Sequence, residues 1–270
     1  MKAIFIASVF LVGAGVGIGL VSATQAPPGL KKEEPAYRSL DSNLYMQTAA
    51  EYRACCFQAY AFAELRLSEK LKAREAGGKP AAVILDLDET VIENAAFQSA
   101  MIRSEYAYDQ RQFEAWEMNG GAMLTFVPGA KEFLAKVKTL GVAAVYISNR
   151  SEKYRQSTMA ALDRLGIAVP NEQLHLSTTT SDKTARRAKA AETFDVLMLI
   201  GDNLRDFDDR FKFNPVTGID GRKKEVDATK AKFGAEWIIL PNPAYGEWTK
   251  PLGRGAKDAD LLVPSFEYKP

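Results

Sequence analysis

Ala81-Ala82-Val83-Ile84-Leu85-Asp86-Leu87-Asp88-Glu89-Thr90 is the stretch from which the rest of the chain is read. Five apolar residues run without interruption and then give way to acids. A short continuous apolar run suits a strand buried on both faces, the habit of parallel sheets covered by helices. Asp86 and Asp88 follow at a spacing of two, which in an extended chain puts both on one side, roughly 6–7 Å apart by Cα. Like charges held so close are costly unless a cation lies between them. A solvated turn explains one Asp easily. It explains less well why an entirely apolar strand delivers two.

Working outward, comparable apolar runs recur at 142–147, 196–200 and 237–240, with a weaker one at 173–177. Helical patterns lie between them at 130–140, at 151–165 closed by Gly166, and at 182–193. Strands alternating with such helices predict βαβ units, hence an α/β fold with a doubly wound parallel sheet. Residues 92–127 interrupt the alternation. They are rich in aromatics (Phe97, Tyr106, Tyr108, Phe113, Trp116) and read as helices plus a turn at Asn119-Gly120-Gly121. An insertion at the C-terminal end of a strand overhangs the place where such sheets bind ligands; packing against the N-terminal helix is the competing use of these rings. Residues 41–76 hold neither Gly nor Pro and predict a long helix or helical pair, ended by Gly77-Gly78-Lys79-Pro80. The expected division is a tether and N-terminal helical segment at 27–80, a core at 81–245 with the helical insertion at 92–127, and a C-terminal extension at 246–270. The helical parts form a smaller cap and N-terminal subdomain.

The first 26 residues stand apart. Lys2 precedes an apolar, Gly-rich run over 3–20, and Val21-Ser22-Ala23-Thr24-Gln25-Ala26 leads to Pro27-Pro28. This reads as a secretory signal peptide cleaved after Ala23 or Ala26. The alternative is an uncleaved membrane anchor, since roughly 20 apolar residues suffice to span a bilayer. Either reading places the rest of the chain outside the cytoplasm, periplasmic or secreted. The 270 residues are 47% hydrophobic and 26% charged, ordinary for a globular protein, and the net charge of +1 gives no reason to expect a nucleic acid polymer as partner. Cys55 and Cys56 are the two cysteines. Neighbours on a helix point about 100° apart and bridge poorly, so both are expected to be buried free thiols.

The chemistry gathers at the strand ends. Tyr146-Ile147-Ser148-Asn149-Arg150 ends one apolar run with a hydroxyl and an amide, groups that suit phosphate oxygens together with nearby backbone N–H. Gly201-Asp202-Asn203-Leu204-Arg205-Asp206-Phe207 ends another with acids. Lys183, in Asp182-Lys183-Thr184-Ala185-Arg186-Arg187, lies near a helix start, where the dipole disfavours a cation; it is either solvated or held by acids. His175, the single histidine, sits in Gln173-Leu174-His175-Leu176 without the Arg neighbours a phosphohistidine chemistry needs, and reads as a strand-edge residue.

In order and spacing these segments, with Asn94 and Pro128-Gly129-Ala130, resemble the haloacid-dehalogenase superfamily, and more narrowly its class C acid phosphatases, the lipoprotein e(P4) group. The resemblance covers roughly residues 40–245 and implies a Rossmann-like core. It implies an exported, Mg²⁺-dependent acid phosphatase acting on small phosphomonoesters, nucleoside 5′-monophosphates among them, through an aspartyl phosphate. In that scheme Asp86 is the nucleophile, while Asp88 is the general acid and then the base. Asp86, the main-chain carbonyl of Asp88, and Asp202 hold Mg²⁺ at about 2.0–2.1 Å. Ser148, the Asn149 backbone and Lys183 bind the transferring oxygens, and Asp206 positions Lys183 or a metal-bound water. The family also suggests a homodimer. The lipidated exit cysteine of the family is missing here, which argues against lipid anchoring. A phosphotransferase on the same scaffold, or a surface binding or uptake protein with a vestigial site, are the alternatives; the full set of catalytic residue types speaks against the latter. Among the aromatics, Trp116 is the leading candidate for a wall that stacks on a flat leaving group.

Overall fold

The structure is a computed structural model. It describes residues 38–252 apart from 76 and 107, together with 258, 261 and 262. The signal or anchor expected at 1–26 lies outside the described residues. Helices α1 (Arg38–Thr48) and α2 (Ala50–Ala73) precede the central strand β1 (Ala81–Leu85). A short antiparallel pair, β2 (Ile92–Glu93) and β3 (Thr125–Phe126), then encloses α3 (Ala95–Ser104) and α4 (Gln110–Asn119). The chain continues through α5 (Ala130–Thr139), β4 (Ala143–Ser151), α6 (Arg155–Arg164), β5 (Leu174–Ser177), α7 (Thr184–Thr193), β6 (Asp195–Gly201), α8 (Gly218–Ala228) and β7 (Trp237–Ile239). Five strands make one sheet in the order β5-β4-β1-β6-β7, every pairing parallel.

The expected α/β architecture is present, and β1 shows why its sequence is apolar throughout. All five of its residues are buried. Ala81, Val83 and Leu85 point into the larger core, with Tyr60 and Leu67 of α2 and Phe133 and Val137 of α5. Ala82 and Ile84 point to the opposite face, against Val145, Ile147 and Ala190. Alternation at period two therefore fills two cores at once. Because β1 is central, Asp86 at its C-terminal end has the ends of β4 and β6 on either side. Its N–H donates to the Ile200 carbonyl at 3.0 Å, which ties it to the neighbour that carries Asp202.

Helix α2 buries a single stripe, Tyr52, Cys56, Tyr60, Ala63 and Leu67, at spacings of three and four. Cys56 lies in that stripe, but Cys55, one residue earlier, is exposed. The expectation of two buried thiols is thus corrected by the helical rotation itself. Three elements were not anticipated. Strands β2 and β3 are two residues long, too short to show a period. Helix α8 carries two glycines and buries no residue, so it has no apolar stripe to read. Helix α6 also begins at Arg155, later than the expected 151. The strand continues to Ser151, which pairs with Ser177, and its side chain then caps a 3-10 turn at Glu152–Tyr154.

The N-terminal segment reaches the turn after β1 directly. Tyr60 Oη donates a buried hydrogen bond of 2.6 Å to the main-chain oxygen of Thr90. Removing one partner of a buried hydrogen bond costs about 1–3 kcal/mol. Tyr60→Phe is therefore expected to lower unfolding free energy by about that amount, read from the urea denaturation midpoint at constant slope. An unchanged midpoint would contradict it.

Candidate active site

Lys183 stands at the centre of the site. It is 3% exposed, and its Nζ lies 2.5 Å from Asp86 Oδ1 and 2.7 Å from Asp206 Oδ1. Burying an ammonium is costly, and here two carboxylates compensate it. The second oxygen of Asp206 accepts the Asn203 N–H at 2.9 Å, closing a capping box on the turn Leu204–Asp206. Gly201 is required beneath it: a Cβ there would lie 2.4 Å from Asp206 Oδ2. Asp202 accepts from Thr90 Oγ1 at 3.3 Å and from Asn242 Nδ2 at 2.8 Å. Thus the turns after β1, β6 and β7, and the start of α7, converge on one point.

Asp86, Asp202 and Asp206 each offer an oxygen, and the three oxygens lie within 4.8 Å of one another. Three carboxylates face one ammonium. Burial pushes Asp202 up to about 8, with the charge of Asp206 adding to it. Burial also raises Asp86 well above the ordinary carboxylate range, although Lys183 opposes the shift. An all-oxygen cluster with excess negative charge is what a hard divalent cation requires, so these residues fit such a metal.

Asp88 faces the other way. Arg150, 1% exposed, donates from Nη2 to Asp88 Oδ1 at 2.7 Å and from Nε to Oδ1 and Oδ2 at 3.0 and 3.1 Å. Asn94 Nδ2 donates to Asp88 Oδ1 at 2.8 Å. The Asp88 carboxylate is therefore outside the acidic cluster, and only its main-chain carbonyl is left for a metal. Ser148, fully buried, belongs to this side: its Oγ lies 3.3 Å from Asp88 Oδ2 and accepts the Arg150 N–H at 3.1 Å. Asn149 is exposed, and its side chain accepts from Arg186 at 2.7 Å, while Arg186 also donates to the Ser148 carbonyl at 2.5 Å.

Arg150, Arg186, Thr90 and Asn242 were not singled out as functional from sequence. Arg186 follows Lys183 by three residues, a spacing that puts both on one helix side and could have drawn attention. Asn242 follows β7, just as acids follow β1 and β6. The expected aromatic group exists as one cluster. The ring centroids of Phe97 and Phe113 are 5.4 Å apart, those of Tyr108 and Phe113 6.3 Å, and those of Phe97 and Trp116 6.0 Å. Arg150 lies 5.9 Å under the Phe113 ring. Trp116 packs against the main core, and its Nε1 donates to Asn94 Oδ1 at 2.6 Å.

Buried acids from two adjacent strand ends, those of β1 and β6, gripping one lysine under a helical insertion, define the phosphohydrolase class of haloacid-dehalogenase folds. The family model of the HAD superfamily, subfamily IIIB (acid phosphatase), matches residues 30–248, and the chain belongs to that family. It is a phosphomonoester hydrolase, an acid phosphatase acting on small phosphate substrates. The class C acid phosphatase from Bacillus anthracis solved with tungstate bound is 30% identical; the match covers 86% of this chain and 99% of that one, with a TM-score of 0.75. A second structure of the class C acid phosphatase from Bacillus anthracis is 31% identical over the same shares, with a TM-score of 0.73.

The insertion docks on the β4 turn through buried Glu117, one of whose oxygens accepts the Ser151 N–H at 2.7 Å. Its Oε2 has no partner among the described residues, and burial pushes the carboxyl up to about 7 from an ordinary 4.5. A folded-state value above the unfolded one gives stability that is complete below pH 4.5 and lost as pH rises through about 7. Glu117→Gln keeps an acceptor for Ser151 and carries no charge. Its Tm relative to the wild type is expected to rise across that window; a difference independent of pH would contradict the assignment.

Proposed function

We propose that this acid phosphatase is Mg²⁺-dependent and works through an aspartyl phosphate on Asp86. The observation that carries the reading is the Lys183 ammonium held between Asp86 and Asp206, beside Asp202. A carboxylate attacking a phosphate dianion needs positive charge at the point of attack. An Asp86 oxygen attacks phosphorus, the ester P–O bond breaks, and the departing oxygen takes the bond pair and a proton from Asp88. Water then attacks the phosphorus of the acyl phosphate, gives its proton to Asp88, and releases Asp86 and inorganic phosphate. Ser148, the Asn149 backbone and Lys183 hold the transferring oxygens, and Asp206 orients Lys183. Asp86, Asp202 and the Asp88 carbonyl would hold Mg²⁺, which supplies charge to offset phosphate and carboxylates.

Substrate preference follows from the insertion. Phe113 lies over Arg150, and Tyr108 beside it is 53% exposed. Their position beside Arg150, the partner of Asp88, supports these two rings as the ones that meet a flat leaving group. Base stacking is worth roughly 1–3 kcal/mol, or about 5- to 150-fold in kcat/KM. Nucleoside 5′-monophosphates and aryl phosphates are expected to be preferred over glycerol phosphate. Export is supported by the character of residues 1–26; among the described residues no helix is long and apolar enough to cross a membrane.

Two variants test the chemistry. Asp86→Asn keeps the side-chain shape and leaves Asp206 on Lys183, so it should still fold, with lower stability, and lose turnover by several orders of magnitude, because an amide cannot attack phosphorus. Mg²⁺ should raise the Tm of the wild type, and Asp202→Asn should lose both that rise and activity. A Mg²⁺ shift that survived in Asp202→Asn would remove Asp202 from the metal site.

A further inference from the structure

We propose that Trp116 is a positioning residue for leaving-group protonation, acting through Asn94 and not as a wall for the substrate. The inference rests on the reading of Asp88 as general acid and deepens it. Asn94 is 1% exposed, and every polar atom of its amide is engaged. Its Oδ1 accepts from Trp116 Nε1 at 2.6 Å and from Arg150 Nη2 at 3.0 Å. An indole N–H and a guanidinium can only donate, so the atom they both touch must be the amide oxygen. The orientation of the amide follows from chemistry. Nδ2 must then face the carboxylates, and it does so at 2.8 Å from Asp88 Oδ1 and at 3.1 and 3.3 Å from the two oxygens of Glu89.

The consequence falls on Asp88. Its Oδ1 receives the shortest bonds, 2.7 Å from Arg150 Nη2 and 2.8 Å from Asn94, with Arg150 Nε at 3.0 Å. Its Oδ2 has only the longer contacts, Arg150 Nε at 3.1 Å and Ser148 Oγ at 3.3 Å. Oδ1 is the anchored oxygen. Oδ2, on the Ser148 side, is the one that carries the proton to the leaving oxygen as the P–O bond breaks. Without the indole N–H, Asn94 keeps Arg150 as the single donor to its oxygen and is held less firmly. An amide that shifts lengthens its bond to Asp88 Oδ1 and weakens that asymmetry. The Trp116 ring is held for this purpose: it leans on Phe97, and a Cβ at Gly120 would lie 2.1 Å from it.

Trp116→Phe keeps an aromatic ring and deletes the N–H together with the five-membered ring that carries it. The informative readout is the ratio of kcat/KM on glycerol phosphate to that on dinitrophenyl phosphate. An alkoxide needs a proton to leave, whereas a dinitrophenolate does not. General acid catalysis contributes about 10²–10⁴-fold, so partial misplacement of the acid should lower the ratio about 10-fold. A stacking role would instead raise the ratio, because only the flat aryl ester would lose binding, and a role in packing alone would leave the ratio unchanged. Either result overturns the inference. Asn94→Ala removes the same contact from the other side without altering the ring. If Trp116 acts through Asn94, the double variant should show the ratio of Asn94→Ala alone; additive losses would contradict the coupling. Asp88→Ala separates the levels of failure. A normal ratio in Asp88→Ala would sink the general-acid reading itself, whereas a collapsed ratio there with a normal one in Trp116→Phe would sink only the role of Trp116.

Discussion

A lysine ammonium cannot be buried in an α/β core unless acids come to it, and at Lys183 two of them do. Removing one partner of such a buried pair typically costs about 3–5 kcal/mol. The surrounding structure is arranged to keep both in reach. The central place of β1 brings Asp86 beside β6, Gly201 leaves room for Asp206, and the turn Leu204–Asp206 fixes the Asp206 carboxylate through the Asn203 N–H. With Asp202 alongside, three carboxylates crowd one ammonium, and burial makes Asp86 and Asp202 reluctant to ionise without a further cation. The site thus has a deficit of cation on one side and a dedicated lysine on the other, which is the electrostatic layout that phosphoryl transfer to a carboxylate demands.

The helical insertion does more than overhang this centre. It sends Trp116 to Asn94 and thence to Asp88, Glu117 to the Ser151 backbone, and Glu114 to the Tyr154 hydroxyl. The same short helix carries Phe113 over Arg150. One element therefore shapes the leaving-group side of the pocket and braces the β4 turn that bears Ser148. The acidic centre, in contrast, rests on the sheet and on α2, through Tyr60 and the Thr90 carbonyl. In the proposed scheme, nucleophile and leaving-group chemistry rest on different parts of the fold.

Much of this was legible in the sequence because burial on two faces writes an uninterrupted apolar run, and each run here ends in residues that a core would not tolerate. Asp86, Asp202 and Asp206 could be named for that reason, and Lys183 for a cation placed near a helix start; the fold brings them together. What could not be read were the partnerships. Asp88 and Arg150 are both visible as charges, but nothing in one dimension tells that they form a buried pair across sixty-two positions. Trp116 shows the limit in another way. As a residue type it suggests either stacking or packing, and only the contact of its N–H with Asn94 separates its polar edge from its apolar face. Short elements such as β2 and β3, and a helix without an apolar stripe such as α8, leave no periodic trace at all.

The most direct measurement is chemical trapping of the covalent intermediate. Enzyme mixed with a nucleoside monophosphate, quenched in acid and reduced with borohydride, would be digested and mapped by mass spectrometry. Reduction of an acyl phosphate converts the modified aspartate to homoserine. Attack by Asp86 predicts homoserine at position 86 and at no other aspartate, dependent on substrate and absent when substrate is withheld. Conversion at Asp88 or Asp202, or phosphate recovered on Ser148 or His175 with Asp86 intact, would contradict it.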